Sequence, residues 1–440
     1  MKLAIEAKKY PNMPSLPPVA MLLLAIFLPT LPFYFGMASS LALGAGVAGL
    51  MIFVGSFRSF RVQKKLLLEI FLTSVILVFL ISIHSILVSL YLPFDYVRAT
   101  LSLAPLILII AGGISLSYVL QQAPSFHVDR GVKICLGIMC LLAILPTLGV
   151  VVPPPSSFGG NYLKPIFPFT EPSHFALLFI PFYMYSCVAT TKLTRSFLLF
   201  LGFAIVLLLE NLTLSVGWLM VALVCTRGTI IVFSVISFLA YATRADLSYY
   251  TDRLDFSGNV VNLSNLVYVQ GWQMLIDSLN RSVGFGIGFQ QLGLSDSSAS
   301  ATEIIYSLLG SYSNILDGGF TFAKLVSEFG VVGLMFSILL LVVCLLSIRM
   351  LRIAAKAPGS LSPLLMFSHA VLVGYSIEFL VRGTGYFTGS AILLVCSLRI
   401  LLKVRKPHVT SCFGNIFAVY KFRHQKISPG LHTASSQACL

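Results

Sequence analysis

Glu171 and His174 are the side chains of this sequence best suited to move a proton. They stand three residues apart in Glu171-Pro172-Ser173-His174, and a helix that begins at Pro172 would place them on one face. At such a place either side chain could act as a general base. The alternative is a helix cap followed by a hydrogen-bonded interfacial histidine. Di-iron bundles use the same Glu-x-x-His spacing but need a second copy, which this sequence lacks, so we expect no metal.

Arginines beside several apolar segments could bind a phosphate group. A guanidinium group keeps its proton and can donate two parallel, charge-assisted hydrogen bonds to phosphate. An ordinary ion pair is the alternative, with Asp95 as the partner of Arg98 and Glu378 as the partner of Arg382. The candidates for a phosphate-binding site are Arg98, Arg253, Arg281 and Arg382.

Glu328 opens an apolar segment that continues with Gly330 and Gly333. An acidic residue at the start of a helix is favoured by the helix dipole whatever its role, and the two glycines could simply permit close helix packing. A place in the same site as the arginines is the other interpretation of Glu328.

A glycine-rich stretch, Gly284-Phe285-Gly286-Ile287-Gly288, looks like a dinucleotide-binding loop. The strand that normally precedes such a loop is missing, so nucleotide binding is not expected. Glycines at this spacing favour tight turns and a close approach of the backbone to a ligand.

Apolar helices must position these residues. Of 440 residues, 57% are hydrophobic and only 10% are charged, and the mean hydropathy is +0.94. A helix needs about 20 apolar residues to cross a bilayer. We therefore predict an all-α polytopic membrane protein with about 12 transmembrane helices, or 11 if the pair around Glu210 and Asn211 is one helix. The predicted spans are Val19–Phe35, Met37–Gly55, Leu66–Leu90, Leu101–Leu120, Cys135–Val152, His174–Ala189, Phe197–Leu209, Leu214–Cys225, Thr229–Tyr241, Val331–Ile348, Leu361–Phe379 and Gly385–Leu402.

Lys and Arg lie mainly at alternate ends of these spans, as expected for short cytoplasmic loops. All but seven of the 29 basic residues fall on the side that also holds both termini, which predicts cytoplasmic termini. The net charge of +14 is therefore attributed to topology rather than to nucleic-acid binding, because the charges form no continuous basic face. The seven basic residues on the opposite, external side are Arg98, Lys164, Arg244, Arg253, Arg281, Lys324 and Arg382.

The short loops predict a single transmembrane domain over residues 1–402, followed by a polar, poorly ordered cytoplasmic tail at 403–440. Two longer loops, 153–173 and 242–329, fall on the external side. In the second loop, apolar residues at helical spacing predict a helix that either lies on the membrane surface or caps the bundle. The eight cysteines lie in spans or in the tail, which argues against a disulfide framework. The apolar residues of the loop helix are Leu266, Val269, Trp272, Leu275, Ile276 and Leu279, behind possible caps at Asn262 and Ser264.

Taken together and in this order, five segments resemble the Wzy-type O-antigen polymerases, within the polysaccharide polymerase and O-antigen ligase superfamily. Each segment alone has low specificity, and the resemblance covers most of Phe94 to Leu402. The segments are Phe94-Asp95-Tyr96-Val97-Arg98, Phe169-Thr170-Glu171-Pro172-Ser173-His174, Gly284-Phe285-Gly286-Ile287-Gly288-Phe289, Leu325-Val326-Ser327-Glu328-Phe329-Gly330-Val331-Val332-Gly333 and Arg382-Gly383-Thr384-Gly385-Tyr386-Phe387.

The resemblance implies a metal-independent glycosyltransferase of the bacterial inner membrane, without a cofactor. Such an enzyme joins oligosaccharide units linked to undecaprenyl pyrophosphate, at the periplasmic face, into O-antigen or a related surface polysaccharide. Besides the lipid-linked substrate and membrane lipids, a chain-length regulator protein is an implied partner. By this analogy Arg98, Arg253 and Arg382 hold pyrophosphate, Arg281, Glu328 and Tyr386 complete the substrate site, and Glu171 or His174 is the base.

Two other functions stay open at the level of sequence. The ligase branch of the superfamily uses a histidine in its large loop, and residues 242–329 contain none, which favours a polymerase. A secondary transporter or exporter would share the many spans, but transporters usually bind their substrate at mid-membrane and often contain a repeated half. No such repeat is visible here.

Overall fold

The computed structural model describes residues 17–57, 63–150, 166–226, 263–294, 299–310, 312, 315–383 and 385–404. These residues are almost entirely helical, and the only extended pairing among them is an isolated bridge between Ile166 and Phe169. The all-α class predicted from the sequence is thus confirmed for the described part of the chain. Up to Ile400 these residues belong to one compact unit, and Leu401–Val404 are the last turn of the final helix.

Fourteen α-helices are found in the described residues and are numbered here in chain order. They are α1 Pro18–Phe27, α2 Leu31–Tyr34, α3 Leu41–Ser56, α4 Gln63–Ser89, α5 Tyr96–Gln122, α6 Ser125–Ile144, α7 Pro172–Ala189, α8 Lys192–Leu209, α9 Leu212–Cys225, α10 Leu263–Arg281, α11 Ser300–Leu309, α12 Thr321–Lys356, α13 Pro363–Leu380 and α14 Gly389–Val404. A 3₁₀ turn, Leu145–Leu148, follows α6.

Six of the described helices, α4, α5, α7, α8, α12 and α13, are long and apolar enough to cross a membrane. They differ in burial. Within an 18-residue apolar stretch of each helix, 83% of the residues are buried in α7 and 78% in α13, but only 17% in α4 and 28% in α8 and α12. A helix that is apolar on its exposed side is expected where lipid is the solvent. The architecture is that of an all-α membrane protein with α7 and α13 at its centre.

The predicted spans differ from the helices at four places. The largest difference is at α12, predicted as Val331–Ile348 and observed as Thr321–Lys356. The first span is broken after Phe27, because Pro29 cannot continue the helix and Pro32 starts the short α2. The fifth begins at Ser125 rather than Cys135, and the charges that lowered its hydropathy are paired within it, Lys133 Nζ lying 2.8 Å from Asp129 Oδ2. The last begins at Gly389, where the Thr388 hydroxyl accepts a hydrogen bond from the Ala391 amide.

The open choice at Glu210 and Asn211 is resolved as a turn between two helices. Glu210 ends α8 with a left-handed backbone (φ 45°), and the Asn211 side chain caps α9 by accepting from the Leu214 amide at 2.9 Å. The predicted span Thr229–Tyr241 and the tail beyond residue 404 lie outside the described residues.

Helix α12 is the longest and is broken once. Gly330 has φ 57° and ψ −133°, a conformation that L-residues with a side chain rarely adopt. The break frees carbonyls of the preceding turn, and the glycine-rich stretch supplies donors for them. The Ile287 and Gly288 amides donate to the Ser327 and Glu328 carbonyls, each at 2.9 Å, and the Val331 amide donates to the Gly284 carbonyl at 2.9 Å.

The glycine loop, Gly284 to Gly288, therefore approaches its own helix closely. A Cβ at Gly286 would stand 2.5 Å from both the Glu328 carbonyl oxygen and the Gly330 amide nitrogen. The close backbone approach predicted from the sequence is present. Its partner in the structure is the first part of α12.

The predicted loop helix is α10, and it packs on α12. Leu275 is buried in one cluster with Phe320, Ala323 and Val326 at the start of that helix. The structure shows packing onto the bundle, one of the two predicted arrangements, and a position on the membrane surface stays a prediction. The opposite face of α10 is apolar as well, since Trp272 is 40% and Ile276 is 56% exposed.

Candidate functional site

Side chains from several helix ends meet at one end of the bundle. This end, called the site end below, is where α4 and α13 finish and where α5, α7, α12 and α14 begin. Residues in the first turns of these helices or just outside them become neighbours there, although they are distant in sequence. The predicted residues placed here are Arg98, Glu171, His174, Glu328, Arg382 and Tyr386.

Glu171 is the residue immediately before α7, and its carboxylate is held from two sides. Arg382 Nη2 donates to Glu171 Oε2 at 2.9 Å, and the Ser173 hydroxyl donates to the same oxygen at 2.8 Å. Arg382 directly follows α13, so this ion pair joins the ends of the two central helices. The alternative pairing of Arg382 with Glu378 on its own helix is not what these contacts show.

The electrostatics of Glu171 make it a stable anion. Burial raises the pKa of this carboxyl, but the charges of Arg382 and His174 and the two hydrogen bonds outweigh that effect and lower it to about 2. A carboxylate with so low a pKa is a poor acceptor of a proton near neutral pH. Glu171 is therefore better suited to hold Arg382 than to act as a base.

His174 lies one turn into α7 and faces several charged groups. The charges of Glu171, Arg382 and Asp317 all act on its imidazole ring. Its Nδ1 is 3.4 Å from the Thr170 hydroxyl, and its side chain also lines a small cavity with Glu378. Of the two predicted bases, His174 is the one that no strong ion pair occupies in the described contacts.

Glu328 forms a second group with Tyr386 and Lys324. The Tyr386 hydroxyl donates to Glu328 Oε2 at 2.9 Å, and the Lys324 Nζ lies 3.9 Å from Glu328 Oε1. Both charged side chains are almost fully buried. The Lys324 Nζ also donates to the Leu316 carbonyl at 2.7 Å and lies over the Tyr386 ring. Burial and the neighbouring Glu328 raise the pKa of Tyr386, which keeps it a hydrogen-bond donor.

Arg98 stands at the start of α5, where Asp95 caps the helix. Asp95 Oδ1 accepts from the Arg98 amide at 2.9 Å, so the interaction with Asp95 involves the backbone of Arg98. The guanidinium group donates to the Leu292 carbonyl at 3.3 Å. It also lies near enough to Glu328 for the two charges to interact. Arg98 therefore belongs to the group around Glu328.

Two predicted residues are not placed with these groups. Arg281, at the end of α10, forms an ion pair with Asp277 one turn earlier, with Nε 3.0 Å from Asp277 Oδ2. Arg253 lies outside the described residues.

Arginines of the site end have spare hydrogen-bond donors. A guanidinium group carries five N–H donors, yet within the described residues Arg382 uses one, to Glu171, and Arg98 uses one, to Leu292. At the far end of the bundle, Arg195 makes four hydrogen bonds to backbone carbonyls. Arg399 makes three, two to Glu69 and one to Ser117. The site-end pair therefore keeps the larger number of donors for an added anion, and both far-end arginines are buried as well.

Sequence reasoning left three members of the site out of its candidate set. Lys324 could have been found from its position four residues before Glu328, where a helix brings both to one face. Glu378 carried a signal as well, because a carboxyl inside an apolar segment is costly and is usually functional. Asp317, 3.4 Å from Lys324, had no local signal.

Comparisons of the chain with protein-family models, with curated proteins and with solved structures found no match.

Proposed function

We propose that the protein polymerises surface polysaccharide by transferring a glycan from undecaprenyl pyrophosphate to the end of another lipid-linked unit. The observation that carries this proposal is that two arginines with unused donors, Arg382 beside Glu171 and Arg98 beside Glu328, lie at the same end of the bundle. A pyrophosphate group offers the acceptors that such donors need. The arginines at the far end of the bundle, Arg195 and Arg399, are buried and bonded to backbone carbonyls or to Glu69, which makes them unsuited to that role.

The proposed reaction divides the work among these residues. An acceptor hydroxyl oxygen forms a bond to the anomeric carbon of the donor sugar, and the bond from that carbon to the pyrophosphate oxygen breaks. Arg98 and Arg382 stabilise the negative charge that develops on the departing pyrophosphate. His174 accepts the proton of the attacking hydroxyl, and Glu171 fixes the position of Arg382.

The proposal includes a topology. The membrane would contain 12 spans with both termini in the cytoplasm, and the site end, with loops 153–173 and 242–329, would face the periplasm of a bacterial inner membrane. Support comes from the distribution of Lys and Arg. It also comes from the long chain segments attached to the site end, because loops of that length usually carry function.

A secondary transporter is the second candidate, and the break of α12 at Gly330 favours it. Broken helices with buried charges nearby are typical of transporter binding sites. Against this candidate, Glu328 precedes the break at Gly330, and the part of α12 after the break, residues 331–356, is about 39 Å long at 1.5 Å per residue, enough to cross a bilayer core of ~30 Å. The charged groups are therefore near one end of α12.

Removing the gene separates the two candidates. A strain without it should carry single repeat units on their carrier or lipid core in place of long polysaccharide, and the wild-type chain should restore the long form. A lipopolysaccharide or capsule gel gives the readout. Long chains in the deletion strain would contradict the polymerase, and an undiminished polymerase activity in membranes with a transport defect would favour the transporter.

Single substitutions then test the arginines. Arg98→Ala and Arg382→Ala should each abolish long chains at unchanged protein abundance, because loss of one donor to developing charge lowers a rate by roughly 10²- to 10³-fold. Arg349→Ala is the matched control, since Arg349 is exposed near the other end of α12 and should leave chain length normal. Normal chains in both site variants would remove arginine–phosphate binding from the mechanism.

A further inference from the structure

The glycine loop and the residue before it present apolar side chains at the surface of the site end. Val283 is 86% exposed and Phe285 is 61% exposed. The sequence contains no charged residue from Ser282 to Leu294. Val283 and Phe285, called the apolar pair below, therefore offer hydrocarbon surface on an uncharged segment, and such surface is favoured where it meets another apolar phase.

The apolar pair is fixed between α4 and α12, two helices that are long and apolar enough to cross a membrane. On one side, His84 Nε2 of α4 donates to the Phe285 carbonyl at 2.9 Å. On the other side, the Val331 amide of α12 donates to the Gly284 carbonyl at 2.9 Å. The exposed apolar residues next to these contacts are Leu80 and Leu87 on α4 and Val331 and Val332 on α12. The apolar pair thus continues the exposed apolar faces of two helices.

The two helices place the apolar pair at the same depth in a membrane. A bilayer core of ~30 Å corresponds to about 20 helical residues at 1.5 Å per residue. Counted from Lys65, the last basic residue at the start of α4, this length ends at about residue 85, next to His84. Counted back from Arg349, the first basic residue after the break in α12, it ends at about residue 329, close to Val331. Both helices therefore put the loop at the boundary of the hydrocarbon core, and a tilt of either helix would bring it further inside.

The main chain of this segment can lie outside water without losing the hydrogen bonds of its amides. All six amides from Val283 to Gly288 donate to an acceptor within 3.5 Å. One of these acceptors is the Ser282 hydroxyl, which accepts from the Gly286 amide at 2.8 Å. The bonds to α4 and α12 use two carbonyls of the same segment. Irregular backbone is tolerated at membrane depth only where the protein satisfies its polar groups, and these groups meet that condition.

We propose that the apolar pair inserts into the hydrocarbon of the membrane leaflet at the site end, where it contacts the acyl chains of phospholipids. Val283 and Phe285 then anchor the glycine loop and the first part of α12 at a fixed depth. Because the Glu328 carbonyl accepts from the Gly288 amide, the group around Glu328 is held to the same membrane boundary. The inference requires that α4 and α12 cross a membrane, and it does not depend on glycan transfer.

Protein is the competing partner for this surface. A second copy of the chain, or another protein, would also shield Val283 and Phe285 from water. Lipid is favoured because the exposed faces of α4 and α12 beside the apolar pair already require a hydrocarbon environment, and the pair adds no charged or hydrogen-bonding side chain to them. A protein partner would shield the pair from lipid as well as from water, and this difference can be measured.

The test is depth-dependent quenching of a tryptophan placed at Phe285. The chain contains two tryptophans, so Trp218→Phe/Trp272→Phe gives a background in which Phe285→Trp supplies the only one. The full-length variant is reconstituted into nanodiscs with a single copy per disc, whose phosphatidylcholine carries bromine on either the upper or the lower part of its acyl chains. Bromine on the upper part should remove most of the tryptophan emission and bromine on the lower part less, while aqueous acrylamide should remove little.

Phe79→Trp in the same background is the matched control. Phe79 is 62% exposed on α4. Because it precedes His84 by five residues, it lies about 7.5 Å deeper at 1.5 Å per residue, and its emission should be quenched more strongly by bromine on the lower part of the chains. Ser360→Trp, in the exposed turn between α12 and α13, should respond to acrylamide and little to either brominated lipid.

Quenching of Phe285→Trp by acrylamide without quenching by brominated lipid would overturn the proposal, because the loop would then lie in water. Shielding from both quenchers would overturn it as well, because protein rather than lipid would then cover the apolar pair. If the tryptophan-free background does not fold, Phe285→Trp is made in the wild-type chain. Its added quenching relative to the wild type in the same nanodiscs then decides the question.

Discussion

Arginines at the two ends of the helical bundle are held in different ways. At the end opposite to the site, Arg195 is buried and donates to the carbonyls of Cys187, Val188, Thr190 and Cys225. These carbonyls belong to the last turns of α7 and α9 or the residue after α7, where a cation is favoured by the helix dipole. The guanidinium group there donates to backbone carbonyls that the ends of two helices would otherwise leave without a hydrogen-bond donor.

Arg399 at the same end makes hydrogen bonds through all three of its side-chain nitrogen atoms. Its Nε and Nη2 donate to the two carboxylate oxygens of Glu69 at 2.6 and 2.7 Å, and its guanidinium group lies 4.7 Å from the centre of the Tyr118 ring. Bidentate geometry of this kind gives the strongest arginine–carboxylate contacts. The pair joins α4 to α14.

The site end differs in which of its groups lack a partner. Buried atoms without a hydrogen-bond partner also occur elsewhere, as in Ser186 and Ser397, but the two carboxylate oxygens among them, Glu328 Oε1 and Glu378 Oε2, come from the site end. Folded proteins rarely leave buried polar groups unpaired, and those that remain call for a water, an ion or a ligand. The comparison teaches that Glu69, at the scaffold end, has both carboxylate oxygens bonded, whereas the buried carboxylates Glu328 and Glu378 of the site end each keep one oxygen without a hydrogen-bond partner.

The largest effect on stability is expected from Arg399→Ala. This change removes three hydrogen bonds of Arg399, two of them to the partly exposed Glu69, and a hydrogen bond to a charged group contributes about 1.5–3 kcal/mol. The unfolding temperature and the amount of protein in membranes should both fall. Arg382→Ala serves for comparison and should lower stability less, because Arg382 makes only one described hydrogen bond. If the two variants were equally unstable, the distinction between scaffold and site arginines would fail.

Gly330→Ala tests whether the site end depends on the break in α12. A residue with a side chain in that backbone conformation costs ~1 to 3 kcal/mol, and its Cβ would also collide with the Gly284 carbonyl oxygen. We expect lower thermal stability together with loss of polymer. Gly359→Ala is a useful control, because a Cβ there meets nothing within 4 Å although φ is 86°. A comparable loss in both variants would mean that backbone strain alone, and not the loop contact, explains the effect.

Acid should weaken the site end through Glu171. Its pKa in the folded protein, about 2, is below its ordinary value of 4.5. The stability contributed by its pairing is therefore complete above pH 4.5 and is lost as the pH falls from there through about 2. Unfolding temperatures of the wild type and Glu171→Gln, measured over this range, should differ at the upper pH and converge at the lower. A constant difference would exclude Glu171 as the group responsible.

Arg281→Ala should have the smallest effect on stability. Arg281 and Asp277 form a partly exposed pair one helical turn apart, and such pairs contribute only ~0.2 to 1 kcal/mol. The melting temperature should remain close to that of the wild type. A large decrease would show that Arg281 is a structural residue comparable to Arg399.

Helices that are governed by local rules were predictable from the sequence. The apolar segments that became α4, α7 and α13 were placed within a few residues of their observed bounds, because length and hydropathy decide such segments. The start of α6 was misplaced because its charged residues lower the local hydropathy. In the folded protein Asp129 accepts hydrogen bonds from Lys133 and from Tyr185, so these charges are tolerated.

The sequence predicted which residues belong to the site better than it predicted which of them contact each other. Local spacing offered Glu378 as the partner of Arg382, whereas the structure gives Glu171, which is 211 positions away in sequence. Pairs of this kind are set by how helix ends meet in three dimensions, and a single sequence contains no pattern for that. The same reason explains why the glycine loop was recognised as a tight turn but its contact with α12 was not foreseen.

The contact between the glycine loop and α12 is a set of hydrogen bonds between main-chain atoms, and this restricts which substitutions the two segments can accept. Amides of residues 287 and 288 and the carbonyl of residue 284 make its three bonds, so the exposed side chain of Phe285 can vary without breaking it, whereas Ile287 is buried against Met274 and Leu292. Gly286 and Gly330 cannot vary in this way, because each faces the backbone of the other's segment. Across related chains we expect these two positions to stay glycine together or to be lost together.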